Sequence, residues 1–281
     1  MLLISTVAEL QKIILEQKKA GKTIGFVPTM GALHRGHLSL LEAAKDQSDY
    51  TICSIFVNPT QFNDPKDLTK YPRTPEADQA ALEAGGCDLL FMPTAKEVYP
   101  DSKSEKLKLD LGHLDQVLEG AFRPGHFAGV VQVVDRLLDI TMADLLFMGQ
   151  KDYQQFAIIR TLIESQNKAV ELVMGPTVRE NDGLAMSSRN VRLTPANREK
   201  APIIYQLLQQ AKADLGREPI ASIEQQQQKT LEKMGFRPEY FSIVDAKTLL
   251  PINQLKSDQS VVACVAVWAG DVRLIDNLIL Q

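Results

Sequence analysis

The chain has 281 residues, with 31 basic against 35 acidic side chains, a net charge of −4 and 44% hydrophobic residues. This excludes a disordered chain, which would be poorer in apolar residues and further from neutrality, and leaves room for one large domain or two smaller ones. A slightly acidic total gives no broad electrostatic footprint for nucleic acid or an anionic membrane, although a few placed cations suffice for a small phosphate ligand.

Taken in chain order, Leu10, Ile13, Ile14 and Gln17 form a helical stripe, and residues 23–27 read as a buried strand. Leu38, Leu40, Leu41 and Ala44 continue as a helix, residues 50–57 as a second strand, 76–84 as a helix closed by Gly85-Gly86, and 88–91 as a third strand. A helix over 130–140, a strand over 144–148, a helix over 153–163 and a strand over 170–174 follow. Strand and helix in alternation predict an α/β fold, a parallel sheet covered on both faces, with ligands at the carboxyl ends of the strands. Beyond residue 185 the pattern changes: helices over 197–215 and 220–234, the Gln225–Gln228 run read as a solvated helix face, then strands over 240–244, 261–268 and 273–280 of a small mixed or antiparallel sheet. The boundary is placed near residue 176, dividing the chain into domains 1–176 and 177–281.

Cys53, Cys87 and Cys264 form neither a disulfide framework nor a zinc or redox spacing. Cys53 and Cys264 lie in apolar runs and read as buried reduced thiols, which suits the cytoplasm. No signal peptide is legible, and every apolar run is far below the roughly 18 residues of a membrane helix. A soluble, cytoplasmic protein is expected.

Chemistry concentrates where the first-half strands end. Residues 28–37, Pro-Thr-Met-Gly-Ala-Leu-His-Arg-Gly-His, leave the first strand and enter a helix, whose early N–H groups favour an anion. His34 and His37 bracket Gly36, so both imidazoles can approach one ligand while the backbone comes close, each able to donate to a phosphate oxygen. A zinc site there would lack a cysteine or carboxylate to complete it. Gly149-Gln150-Lys151-Asp152 follows the fourth strand. Lys151 offers a point charge, and Asp152 could hold magnesium or cap the next helix, where Gln155 could face the ligand. Met186-Ser187-Ser188-Arg189 supplies two hydroxyls and a guanidinium fork suited to polyphosphate. Residues 56–62 hold Gln61 among aromatic and proline residues, where it could bind a hydroxyl or carboxylate. Arg123-Pro124-Gly125-His126-Phe127 reads as a glycine turn before a helix, a structural turn or a mobile wall of the ligand site.

The His-x-Gly-His loop after the first strand, with a late serine-rich phosphate loop, resembles the nucleotidyltransferase superfamily that includes class I aminoacyl-tRNA synthetases. Over residues 22–277 the chain is similar to the pantothenate synthetases (pantoate–β-alanine ligases), on Val27-Pro28-Thr29-Met30-Gly31, Phe56-Val57-Asn58-Pro59, Gln61-Phe62, Tyr71-Pro72-Arg73-Thr74, Glu119-Gly120, residues 123–127, Lys151-Asp152, residues 182–190 and Arg273-Leu274-Ile275-Asp276-Asn277. The resemblance implies a Rossmann-like N-terminal domain with a smaller α+β C-terminal lid domain. It also implies an ATP-dependent ligase that condenses (R)-pantoate with β-alanine through a pantoyl adenylate, releasing AMP and pyrophosphate, with Mg2+. ATP would be held by Met30, Gly31, Ala32, Leu33, His34, Arg35, Gly36 and His37, by Gly149, Gln150, Lys151 and Asp152, by Val178, and by Met186, Ser187, Ser188 and Arg189. Gln61 and Gln155 would hold pantoate, Gln61 would also meet β-alanine, and His37, His34, Lys151 and Arg189 would serve catalysis. The magnesium ligands stay undetermined. A homodimer is implied, with residues 50–57 or 99–111 as candidate interfaces, and neither nucleic acid nor membrane as partner. Gln150 stands where many members have glutamate. The alternatives are an adenylyltransferase acting on a phosphorylated substrate, a silent nucleotide-binding module, and an RNA-binding protein.

Overall fold

The computed structural model describes residues 1–100, 107 and 109–281. They form two compact units, Met1–Leu111, Gly125–Gly149 and Gln155–Pro176 in the first, and Gly112–Pro124, Gln150–Gln154 and Thr177–Gln281 in the second. No helix among the described residues is long and apolar enough to cross a membrane.

The elements run β1 (Leu2–Ile4), α1 (Val7–Lys19), β2 (Ile24–Thr29), α2 (Arg35–Gln47), β3 (Tyr50–Ile55), α3 (Pro65–Lys70), α4 (Pro75–Ala84), β4 (Leu89–Phe91), α5 (Ala95–Val98), α6 (Glu119–Phe122), α7 (His126–Thr141), β5 (Leu145–Gly149), α8 (Tyr153–Ser165) and β6 (Glu171–Gly175). In the first unit six parallel strands are ordered β1-β4-β3-β2-β5-β6. Nearly every residue of β2 and β3 is buried, the continuous apolar signature of strands covered on both faces. Strand succession runs outward from β2 through β3 to β4 on one side and from β5 to β6 on the other. The topological switch point therefore lies between β2 and β5. The β2–β5 ladder stops at Phe26. Two residues on, Pro28 has no N–H to extend it. β3 is interior to the sheet and its core residues are buried, so it has no free edge for a second chain to pair with. Of the two expected interfaces, 99–111 lies partly outside the described residues.

The second unit holds α6, α9 (Pro195–Lys200), α10 (Ile203–Asp214), α11 (Ile220–Lys233), β7 (Arg237–Asp245), β8 (Val261–Ala269) and β9 (Val272–Ile279). The strands form an antiparallel sheet in the order β7-β8-β9. Ile204 and Leu208 of α10 and Ile223 and Leu231 of α11 pack with Phe241, Ile243, Val265 and Val267 of the sheet in one core. The single helix expected over 197–215 is two, because Pro202 removes an amide donor and its ring would clash with the carbonyl four residues back. The glutamine run is not uniformly solvated: Gln225 and Gln226 are exposed, but Gln227 is buried and Gln228 donates to Phe241 O. All three cysteines are free and buried.

Candidate active site

In the first unit the loop between β2 and α2 is held by a carboxylate that sequence reading did not single out. Asp78, buried in the first turn of α4, accepts Ala32 N–H at 2.8 Å on Oδ2 and Leu33 N–H at 2.7 Å on Oδ1. Gly31 (φ +81°) and Ala32 (φ +49°) take the left-handed backbone that turns the chain there. A side chain at Gly31 would press on Asp78 and Ile55. The loop delivers His34 as the N-cap of α2. Its Nδ1 accepts Gly36 N–H at 3.2 Å, and His37 Nδ1 accepts His34 N–H at 3.3 Å, so the two imidazoles form a reciprocal capping box. Their ring centroids are 4.1 Å apart. A neutral imidazole that accepts on Nδ1 carries its proton on Nε2. Both Nε2–H groups are therefore donors, at a helix N-terminus that favours an anion. Arg35 is exposed.

Gln61 ends a 3-10 turn after β3 and is buried. Its Nε2 lies 3.1 Å from Met30 Sδ, its Oε1 accepts from Asn58 Nδ2, and its backbone carbonyl is 2.7 Å from His126 Nδ1. Asn58 is the hub of this turn: it also donates to Gly129 O and accepts from Thr60 and Tyr99. Gly129 lets α7 approach, since a Cβ there would collide with the Thr60 carbonyl and Gln61 Cα. Because those are backbone atoms, they cannot swing aside. Gly129→Ala is expected to displace Gln61 and to reproduce the loss that Gln61→Ala causes, about tenfold or more, as misplacing a positioning group does. Steady-state kinetics of the two variants side by side checks this, and parental kinetics in Gly129→Ala would refute it. Gly149 ends β5, beside the switch point, and Gln155 is half-buried on α8.

In the second unit β9 organises the remaining residues. Asn277, buried, donates to the carbonyls of Gln150 and Lys151 at 2.9 and 2.8 Å and accepts from the Gln150 amide at 3.1 Å. The Gln150 side chain is thus engaged by the fold. Lys151 Nζ is 4.0 Å from Asp152, whose side chain is 50% exposed. Asp276 holds Arg179 through two hydrogen bonds of 2.6 and 3.0 Å, and Arg179 lies over the Tyr205 ring. Met186 N–H bonds Val178 O at 3.0 Å, which brings those two residues together. Ser187 caps a 3-10 turn over Ser188–Arg192, its Oγ accepting Arg189 N–H at 3.3 Å. Gln154 is buried and structural, bonded to Leu114 O, Val117 O and Glu119 N–H.

The same unit contains a buried ionic cluster. Glu119 accepts Tyr240 OH at 2.6 Å and both terminal nitrogens of Arg273 at 2.7 Å, and Arg273 also pairs with Glu239, which accepts Trp268 Nε1. Burial alone would raise the Glu119 pKa. The hydrogen bonds and charge of Arg273, the charge of Arg123 and the Tyr240 hydroxyl outweigh it and bring it down to about 2. Asp78 was not legible in the sequence, because a helix-start aspartate has the same signature wherever it packs; Asn58, Glu119 and Asn277 stand in motifs that carry the resemblance, but their hydrogen-bond partners are set by packing alone.

The family model for pantoate–β-alanine ligase matches residues 2–279. The pantothenate synthetase of Azobacteroides pseudotrichonymphae is 46% identical over 98% of this chain and 99% of its own length, and that of Pseudomonas putida KT2440 44% over 99% and 97%. A crystal structure of the Thermus thermophilus pantothenate synthetase superposes with a TM-score of 0.93 at 41% identity, covering all of both chains. The Francisella tularensis pantoate–β-alanine ligase, solved with β,γ-ATP and β-alanine, superposes at 0.84 with 35% identity, covering 100% of this chain and 98% of its own. With a parallel six-stranded sheet, a histidine loop at its switch point and full-length similarity of this kind, the chain belongs to the pantoate–β-alanine ligase family, ATP-dependent enzymes that condense pantoate with β-alanine.

Proposed function

We propose that the chain makes pantothenate in two steps and that the residues described above divide the work. ATP is held by residues 30–37, Gly149, residues 150–152, Val178 and residues 186–189. Gln150 contributes through its backbone, since its amide serves Asn277. Gln61 and Gln155 hold pantoate, and Gln61 also meets β-alanine.

The observation that supports this reading best is the histidine capping box, which aims two Nε2–H donors from the start of α2. In the first step the pantoate carboxylate attacks the α-phosphorus. A new P–O bond forms and pyrophosphate leaves. Nucleophile and target are both anionic, so the step needs positive charge where negative charge builds up. Lys151 and Arg189 supply it, His34 and His37 donate to the same oxygens through Nε2–H, and no protein nucleophile is required. In the second step the β-alanine amine attacks the acyl carbon, AMP leaves and the amine loses a proton.

Magnesium enters with ATP as part of the substrate. Among the described residues no group of three or more His, Cys, Asp or Glu could cage a cation. Asp152 fits, because Mg2+ bound to a polyphosphate takes only one or two carboxylates from the protein. A homodimer in the cytoplasm is part of the same proposal; buried free cysteines suit a reducing compartment, and sedimentation tests the assembly.

The decisive experiment measures AMP release with each substrate omitted in turn. AMP that needs both acids, with pyrophosphate exchange that needs pantoate alone, is expected. AMP release that ignores β-alanine would point to an adenylyltransferase instead.

A further inference from the structure

We propose that Arg123 is a further nucleotide-binding residue, donating to the polyphosphate alongside Arg189. This rests on the reading that Arg189 and Lys151 hold ATP. Arg123 C-caps α6, and its side chain is 19% exposed. Its nearest counter-charge, Glu119 Oε2, is 3.5 Å away, beyond a good hydrogen bond. That carboxylate already takes three donors at 2.6–2.7 Å from Tyr240 and Arg273. Arg273 therefore neutralises Glu119, and Arg123 is surplus to the pair.

Among the described residues the Arg123 guanidinium donates no hydrogen bond. Its surroundings are cationic as well. Burial lowers its pKa most and Glu119 opposes this, but Arg189 and Arg273 both lower it further, with Asp152 acting weakly the other way. Arginine keeps its charge even so. A guanidinium held half-buried beside like charges, with its fork unspent, is complementary to an anion that carries several charges and several oxygens. A polyphosphate meets that description; a single carboxylate, already met by Arg273 in the case of Glu119, does not.

The test uses the full chain as Arg123→Gln, Arg123→Lys and Arg189→Gln, each first shown to melt like the parent. Calorimetry with MgATP, magnesium pyrophosphate and AMP is combined with pantoate-dependent pyrophosphate exchange. Arg123→Gln should weaken ATP and pyrophosphate about tenfold or more, the usual size of a lost charge-assisted hydrogen bond, with AMP within about twofold. Arg123→Lys should recover part of the loss, because the charge remains and the fork does not. If Arg189→Gln loses ATP and pyrophosphate affinity but Arg123→Gln does not, Arg123 is merely an ion partner of Glu119 and the proposal falls. A loss confined to the β-alanine KM overturns it too, by placing Arg123 at a carboxylate. If Arg189→Gln also leaves ATP binding intact, the underlying assignment of ATP to these residues is what has failed.

Discussion

Replacing His37 by alanine is expected to slow pantoyl-adenylate formation at least about a hundredfold, the usual consequence of removing one preorganised donor from a developing oxyanion. The ring has two jobs that can be separated. Its Nδ1 accepts the His34 N–H and closes the cap of α2, which leaves Nε2–H as the donor that the proposed role requires. Loss of the cap alone costs about 1 kcal/mol of stability and would not account for such a rate loss. Asparagine has an acceptor near the Nδ1 position but nothing at Nε2. His37→Asn should therefore melt close to the parent and still lose nearly all of the rate of pantoate-dependent pyrophosphate exchange. Exchange at the parental rate in His37→Asn would show that the imidazole only caps the helix.

Glu119→Gln carries the largest expected effect on stability. It removes the charge that Arg273 and Arg123 face, leaving Arg273 with Glu239 alone and Arg123 without its ion partner, and breaking a buried pair in this way costs about 3 kcal/mol or more. Trp268 is the only tryptophan of the chain and donates to Glu239 in the same cluster, so its fluorescence in a denaturant titration reports on this unit. The parent should show the matching pH dependence. Because the Glu119 pKa is depressed from 4.5 to about 2 in the folded state, its contribution of about 3 kcal/mol is fully present above pH 4.5 and is lost as pH falls toward 2. Glu119→Gln should lack that acid limb. A variant within about 1 kcal/mol of the parent at pH 7, with the acid limb intact, would mean that the cluster does not depend on this carboxylate.

Much of the fold is legible because it rests on local periodicity. The runs Ile24–Val27 and Tyr50–Ile55 are mostly apolar and almost wholly buried, as strands covered on both faces must be, and both form the centre of the sheet. Where long-range packing decides, periodicity misleads. Residues 197–215 carry a helical pattern, and only the position of Pro202 divides them. Gln227 looks like its neighbours in a polar run but is buried under the second-unit sheet. The strand Leu2–Ile4 is three residues long, too short for any period, and exists because β4 offers it an edge to pair with. Gln150 and Lys151 are adjacent in one motif, yet Asn277, over a hundred residues away, engages the first side chain and only the backbone carbonyl of the second.

What the sequence determined by itself is the chemistry on offer: two imidazoles flanking a glycine after a strand, a lysine after another, and a hydroxyl–guanidinium loop, together with the alternation that yields a parallel sheet. Local backbone preference and the ordinary acid–base character of a side chain belong to short segments, so they can be read without coordinates. Tertiary structure alone decided which atoms are left to do that chemistry. Asp78 fixes the loop that presents His34, Gly129 sets how closely α7 approaches Gln61, and Arg273 takes up Glu119. Each of these joins residues between 45 and 154 positions apart. Hydrogen-bond capacity is spent by whichever group the fold brings near, and one-dimensional order does not record that proximity.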